Sequence, residues 1–419
     1  MRIAFLTDFA DPLAPIGGQQ AGGVNTYIYE LARSLSRIGI KVDVFTRWDS
    51  TKSSQTVRFA ERAKVVRIKA GPRHFLSKNS FGAIMPEYIE HFLEYCREKK
   101  MKYDLIHSHY YFAGWAGIQV KNIFQIPLVH SYHALGLTKR EVLRDSDPSP
   151  TDRIQVEKEI LEAADEIIAS SPQDKMTLIE GYGFGGNKIS IIPAGVNLHR
   201  FSPLDRSKAR LKLGIASDRK VIVFAGNMNK NKGAEVLIRS VREIKRRWSK
   251  LSTALEVYLL TGDPRKSRRK EKDEADLRHH LKTLIKDLRL ADVIRLDHSV
   301  TREKLHYYYG AANVVVMPSF YESFGMVATE AMATGTPVVA SDVGGLKWTI
   351  QDGINGFHAK PGDAKDFAIK IAGILQNPDL EDRLSKNAVI YARNNFDWDK
   401  IAKKILSQYE RLTGKDQKS

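Results

Sequence analysis

Residues 319–335 read SFYESFGMVATEAMATG. An apolar strand pattern at 312–317 enters this stretch through Pro318. Gly325 then opens a run of small and apolar residues, 326–334, that fits a buried helix closed by Gly335. Strand, tight loop and helix in that order make one unit of an α/β sheet. At the helix start the amides of Phe324, Gly325, Met326 and Val327 point outward at the positive end of the helix dipole, which suits an anion such as phosphate. Two carboxylates lie close by, Glu322 in the loop beside Ser323 and Glu330 about one turn into the helix. Next to an anion they would repel it unless they face hydroxyls, as the ribose and hexose of a sugar nucleotide would provide. The local alternative is that Glu322 caps the helix and Glu330 is an ordinary helix glutamate. Spacing alone leaves both readings open.

Around this stretch the chain has 419 residues, which fits two domains of about 200 residues, each able to bury a full core. Hydrophobic residues at 42% and charged residues at 27% exclude disordered and fibrous classes. No apolar run is long enough to span a membrane, and residues 1–7 read as a strand instead of a signal sequence, so a cytoplasmic location is expected. The single cysteine, Cys96, cannot form an internal disulfide and falls in a helical pattern as a small packing residue. The net charge is +17 and its excess lies in the second half. A basic excess suits anionic small substrates, nucleic acid or an acidic membrane surface. Much of it comes from residues 239–250 and from the PRKSRRKEK run at 264–272, which has no interleaved aromatics and reads as a solvated face. Nucleic acid is therefore not expected as a partner, while weak attachment to a membrane surface is compatible with the charge.

From the N-terminus, RIAFLT at 2–7 is a strand. A loop at 8–23 holds Gly17, Gly18, Gly22 and Gly23, a helix begins near Val24, and a strand follows at 41–46. This is a βαβ unit whose glycine-rich first turn lets a ligand approach the backbone, although the spacing is not GxGxxG. Strand patterns recur at 65–69, 104–107, 128–131, 166–170 and 189–192 with helical patterns between most of them, the signature of a parallel, doubly wound sheet with ligands at the carboxyl ends of its strands. Those ends carry His107, His109 and Tyr110, then His130, Tyr132 and His133. Without an HExxH motif or a cysteine partner, hydrogen bonding to a polar substrate is favoured over a metal, and loop packing stays open for His107 and His130. Lys78, in LSKNSFGAIMP, is a candidate phosphate contact, and Lys139, Arg140 and Arg153 add positive charge that would suit a phosphorylated acceptor.

IPAGVNLHRFSP at 192–203 marks a domain boundary, after which the pattern restarts with strands at 221–225, 257–261, 293–296, 313–317 and 337–340. The first turn of this second domain, GNMNKNKG at 226–233, carries Lys230 and Lys232. Lys232 is expected to face the helix that follows Phe324.

At this point the chain resembles the retaining, two-Rossmann-domain glycosyltransferases of family 4, which include sucrose-phosphate synthases and the inositol-phosphate N-acetylglucosaminyltransferases of mycothiol synthesis. The resemblance covers nearly the whole chain and is carried by GGVNTYIYELARSL, DLIHSHYYFAG, SYHALGLTKRE, IIPAGVNLHRF, NKGAEVLI and ESFGMVATEAMATGTPVVASDVGGL. It implies an α/β fold of two doubly wound Rossmann-like domains facing a cleft, the GT-B fold. The acceptor-binding domain would be 1–196 plus a returning helix in 397–419, and the nucleotide-sugar donor domain 197–396. The reaction implied is retaining transfer of a hexosyl group from a nucleoside diphosphate sugar, a UDP-sugar first, to a hydroxyl of a phosphorylated sugar or polyol.

Carried over residue by residue, Glu330 matches the glutamate that binds the nucleotide ribose and Glu322 the one at the donor-sugar hydroxyls. Ser323, Phe324, Gly325, Met326 and Val327 match the segment that touches diphosphate and sugar. Lys232 matches a diphosphate-binding lysine, His133 the histidine beside the donor sugar, and Gly22 and Gly23 the glycine loop over the leaving phosphate. Asn25, Lys78, Tyr110 and Arg153 match positions that hold the phosphorylated acceptor. Catalysis would then rest on His133, Glu322 and Lys232, with no metal ligand set and a divalent metal not required. Asn227 departs from the family pattern, which has an arginine there, and compensation by Lys230 or Arg265 is expected. Two rival readings remain: transfer to a lipid-linked or polysaccharide acceptor, and a non-catalytic sugar-nucleotide sensor. The sequence does not set the oligomeric state.

Overall fold

From Ile3 onward, the run Arg2–Thr7 is buried on both faces, the pattern of a strand inside a sheet covered on both sides. In the computed structural model, which describes residues 1–14, 22–76, 80–143, 149, 151–261 and 272–415, it is β1 of an eight-stranded sheet. The others are β2 (Lys41–Arg47), β3 (Thr56–Ala60), β4 (Ala63–Ile68), β5 (Leu105–His109), β6 (Leu128–Ser131), β7 (Glu166–Ala169) and β8 (Ile189–Ile191), in the order β3-β4-β2-β1-β5-β6-β7-β8. Phe5 of β1 pairs with Val44 on one side and His107 on the other. All neighbours are parallel except β3, which runs antiparallel to β4. That corrects the expectation of an all-parallel sheet. Only Glu61 and Arg62 separate β3 from β4, and so short a connection can join only antiparallel strands. The polar, half-exposed TVRFA run gave no apolar signal.

Among the described residues the chain divides into two compact units, the first comprising Met1–Ala14, Gly23–Ala194 and Trp398–Ser419. The last helix, Trp398–Thr413, packs on the helix Gly23–Arg37 of the same unit, where Tyr27 and Trp398 meet edge to face at 5.2 Å. Arg411 pairs with Glu166 at 2.6 Å, and Arg37 pairs with Asp399. The strand order of this unit reverses between β1 and β5, so the loops after Thr7 and His109 leave on either side of a crevice position at the carboxyl edge.

The second unit holds Gly195–Asp397 together with Gly22. Its strands are β9 (Lys220–Ala225), β10 (Leu255–Thr261), β11 (Ile294–Ser299), β12 (Val314–Met317), β13 (Val338–Ser341) and β14 (Gly356–Ala359), all parallel in the order β11-β10-β9-β12-β13-β14. The helix Ala234–Arg247 buries Leu237, Ile238, Val241 and Ile244 against this sheet at helical spacing. Its outer face pairs Arg239 with Glu235 at 2.7 Å and Arg246 with Glu243 at 2.9 Å, so the basic run at 239–250 is a solvated, ion-paired surface. Here the order reverses between β9 and β12, which brings the loops after Ala225 and Met317 side by side. Among the described residues no helix is long and apolar enough to cross a membrane.

Candidate functional site

In the second unit, the loop after β12 turns into the helix Met326–Ala333 through Gly325, whose φ of 96° lies in the left-handed region open to glycine. The N-cap position is this glycine, which has no side chain to cap with. Glu322 accepts a hydrogen bond from Lys232 Nζ at 2.6 Å, a pairing across 90 positions of sequence. Met326 and Val327 occupy the first two helical positions, where amides lack an acceptor one turn earlier. A lysine, outward amides and a carboxylate thus meet at one helix N-terminus. Chemically, a cation beside unpaired helix amides suits an anion, and a carboxylate there can accept from hydroxyls.

The loop is held in that shape by its neighbours. Gly345 N donates to Glu322 O at 2.9 Å, and a Cβ on Gly345 would run into the carbonyl of Ser323. Thr349 Oγ1 donates to Phe324 O at 2.8 Å, and Phe324 is buried edge-on against Phe396 at 5.4 Å. Phe320 N donates to Asn231 O at 2.8 Å, which joins this loop to the loop after β9. In that second loop the Asn229 side chain accepts from Lys232 N at 3.2 Å and fixes where the lysine departs from the backbone. Glu330 lies further along the helix, and its Oε2 accepts from Tyr309 OH at 3.2 Å. Asn227 and Lys230 are exposed in the loop after β9, and Gly22 lies beside Asn227. Arg265 lies outside the described residues.

In the first unit, Gly23 is the first residue of its helix, one position before the expected start, and Asn25 donates from Nδ2 to Asp11 O at 2.9 Å. Strand β5 runs on to His109, so His107 and His109 are strand residues and not part of the loop after it. His107 is fully used, with Nδ1 on Tyr409 OH at 2.5 Å and Nε2 on Ser131 Oγ at 2.9 Å. His130 Nδ1 meets Ser108 Oγ at 2.8 Å, and His109 Nδ1 meets His133 Nε2 at 3.1 Å. Burial, then the neighbouring imidazoles, hold His107 and His109 well below the usual histidine range; burial pushes His130 and His133 down to about 3. They are neutral hydrogen-bonding groups, and of the four only His133 reaches the surface.

Tyr110 and His133 follow adjacent strands and both have positive φ, 74° and 61°. For side chains of this size such backbone costs on the order of 1–3 kcal/mol each, which the surrounding packing has to offset. Arg153 corrects the picture of free positive charge on this unit. It is 1% exposed, its Nε donates to fully buried Glu157 at 2.8 Å and its Nη2 to Ala134 O at 2.6 Å. Its guanidinium also lies over the rings of Tyr110 and Tyr111. Lys78 lies outside the described residues. Sequence reasoning missed Glu157, although its spacing of four from Arg153 was a signal; Gly345, signalled by the paired glycines of SDVGGL; and Tyr309, for which no pattern spoke.

Two family models match the chain: Glycosyltransferase Family 4 over residues 21–200 and Glycosyl transferases group 1 over residues 205–390. The D-inositol 3-phosphate glycosyltransferase 2 of Catenulispora acidiphila is 36% identical over 98% of this chain and 95% of its own. The D-inositol 3-phosphate glycosyltransferase of Kribbella flavida is 34% identical over 98% and 96%. Among solved structures, sucrose-phosphate synthase from Thermosynechococcus elongatus superposes with a TM-score of 0.90 at 32% identity, covering 99% of each chain. With its two halves matched in turn and a relative 36% identical along nearly its whole length, the chain belongs to the glycosyltransferases, as a family 4, group 1 enzyme of GT-B fold.

Proposed function

We propose that this enzyme transfers a hexosyl group from a nucleoside diphosphate sugar, UDP-sugar first, to a hydroxyl of a phosphorylated sugar or polyol, with retention of anomeric configuration. The observation that carries the donor half is the Lys232–Glu322 pair at the N-terminus of Met326–Ala333. Lys232 and the outward amides take the diphosphate, Glu322 takes the sugar hydroxyls and Glu330 the ribose. The acceptor half rests on relatives named for inositol 3-phosphate and on a structural neighbour named for sucrose phosphate. Asn25, Lys78, Tyr110 and Arg153 are its proposed acceptor residues, and His133 its proposed catalytic residue.

In this reading neither carboxylate is a glycosidase-like nucleophile: Glu322 and Glu330 serve hydroxyls. What the residues supply is orientation and stabilisation of the departing diphosphate. The leaving phosphate oxygen then takes the acceptor proton on the face where the sugar–phosphate bond breaks, so one bond forms as the other breaks without a covalent enzyme intermediate. Lysine and amides carry the phosphate charge, and a divalent metal is proposed not to be required.

The test is a screen of UDP-, ADP- and GDP-sugars against inositol phosphates and hexose phosphates, with and without chelator, read by mass spectrometry and by the anomeric coupling of the product. A hexosyl adduct of a phosphorylated acceptor with retained configuration is expected. Transfer only to a lipid-linked or polysaccharide acceptor, or donor binding without any transfer, would refute the proposal.

A further inference from the structure

Glu330 is on a short helix, and a glutamate carboxylate turns readily about its last torsion, which is broad and roughly two-fold. To accept from both hydroxyls of a cis diol, the carboxylate plane has to be fixed. The structure contains a device that fixes it. Tyr309, in the helix Arg302–Ala311, is completely buried and donates from its hydroxyl to Glu330 Oε2 at 3.2 Å. Tyr309 is itself held at both ends. Its carbonyl accepts from Thr336 Oγ1 at 2.6 Å, just past the C-terminus of the helix that carries Glu330, and its ring packs beside Phe201 at 6.0 Å. Burial, and then the adjacent Glu330 carboxylate, push the phenol well above its ordinary value, so it stays a neutral O–H and can only donate to the carboxylate.

We propose that Tyr309 is a positioning residue that sets the carboxylate plane of Glu330 for the ribose diol of the nucleoside diphosphate, and thereby sets the preference for ribonucleotides over nucleotides lacking those hydroxyls. The inference rests on the reading of Glu330 as the ribose acceptor and deepens it. Without the Tyr309 hydroxyl, Glu330 still carries its charge and still occupies its site. What it loses is the geometry needed for two hydroxyls at once, so the effect is confined to ligands that have them.

The experiment is calorimetric binding of UDP and of 2′,3′-dideoxy-UDP to the full chain, run in parallel with the adenosine pair so that the base does not decide the outcome. Wild type, Tyr309→Phe and Glu330→Ala are compared. In Tyr309→Phe the ribonucleotide is expected to bind about fivefold more weakly, the scale of one hydrogen bond to a charged group acting through a second. The dideoxynucleotide keeps its wild-type affinity, which also shows that the donor site is folded. A general structural loss would weaken both nucleotides equally, and that result overturns the assignment. If Glu330→Ala abolishes the ribose preference while Tyr309→Phe keeps it in full, the inference falls and the Glu330 reading stands. If the preference survives Glu330→Ala, both fall.

Discussion

Lowering the pH from 7 to 5 should destabilise the first unit steeply, because three histidines are sealed inside it without charge. His107, His109 and His130 are fully buried, and each is held far below its ordinary value of 6.5. The sign follows from proton counting: in this range the unfolded chain binds protons on these imidazoles and the folded chain does not, so stability present above 6.5 is lost as the pH falls. For one histidine with an unfolded value of 6.5 and a folded value below the window, the loss from pH 7 to 5 is about 2 kcal/mol, and for the three sealed ones about 6 kcal/mol. His133, pushed to about 3 by burial, acts in the same direction. Asp174 opposes them. Burial raises its carboxyl to about 6, against hydrogen bonds from Ser170 and Ser171 that lower it, so the folded state gains a proton there as the pH falls. That gain is about 1 kcal/mol over the same window. The histidines win, leaving a net loss of at least about 4 kcal/mol, a large part of a typical 5–15 kcal/mol of stability.

Cys96 makes the measurement specific to this unit, since it is the chain's single cysteine and is 3% exposed in the helix Met85–Glu98. Urea unfolding read by pulse labelling of that thiol with a dipyridyl disulfide, which reacts in acid, gives the stability of the unit at pH 7, 6 and 5. His130→Asn should flatten the pH dependence by about a third of the histidine contribution. A change smaller than about 1 kcal/mol between pH 7 and 5 refutes the reasoning, because it would mean that the imidazoles are protonated in the folded state.

At the donor site, Lys232→Met should weaken UDP binding by about ten- to a hundredfold, the range for a charge-assisted contact, while Glu322→Gln releases Lys232 and should bind UDP at least as tightly as wild type yet lose transfer. Calorimetry beside an initial-rate assay checks both, and a parallel loss of UDP affinity in the two variants would count against the pairing. Asn227→Arg should change turnover and donor affinity by less than about twofold, given that charge near the diphosphate is already supplied, and a large gain in either contradicts that. Lys78→Ala should raise the apparent KM for a phosphorylated acceptor and leave donor hydrolysis unchanged; an unaltered KM argues against a phosphate contact at that position.

Much of the sheet framework was legible because parallel strands covered on both faces are nearly continuous apolar runs, as in Lys220–Ala225 and Val338–Ser341. β3 was not, since an edge strand half exposed to solvent needs no such run. The donor loop was legible in kind, a glycine and small-residue helix start with flanking carboxylates, but its partners were not. That Glu322 would meet Lys232 depends on the strand order reversing between β9 and β12, a property of the whole sheet that no local spacing encodes. The burial and partners of Arg153 were hidden for a related reason. A positive charge in sequence looks like a free cation until its surroundings are known, and here a glutamate four positions on and a carbonyl at Ala134 occupy it.

The same sheet-level fact explains why the glycines of this site fall where they do. Once β9 and β12 are neighbours, the loops after them must pass within backbone contact, and a Cβ on Gly233 would collide with the carbonyl of Pro318. The loop after β13 closes on Glu322 and Ser323 from the other side through Gly345. Glu322 is therefore held by backbone on both flanks before any ligand arrives, and its one adjustable partner is the Lys232 side chain. On the proposed reading, a diphosphate entering at the Met326 amides would draw the flexible Lys232 side chain away from Glu322. The carboxylate would then turn to the sugar hydroxyls as its replacement partners. Diphosphate binding and hexose recognition would then be coupled through Lys232, which is why Lys232→Met should weaken UDP binding while Glu322→Gln should not.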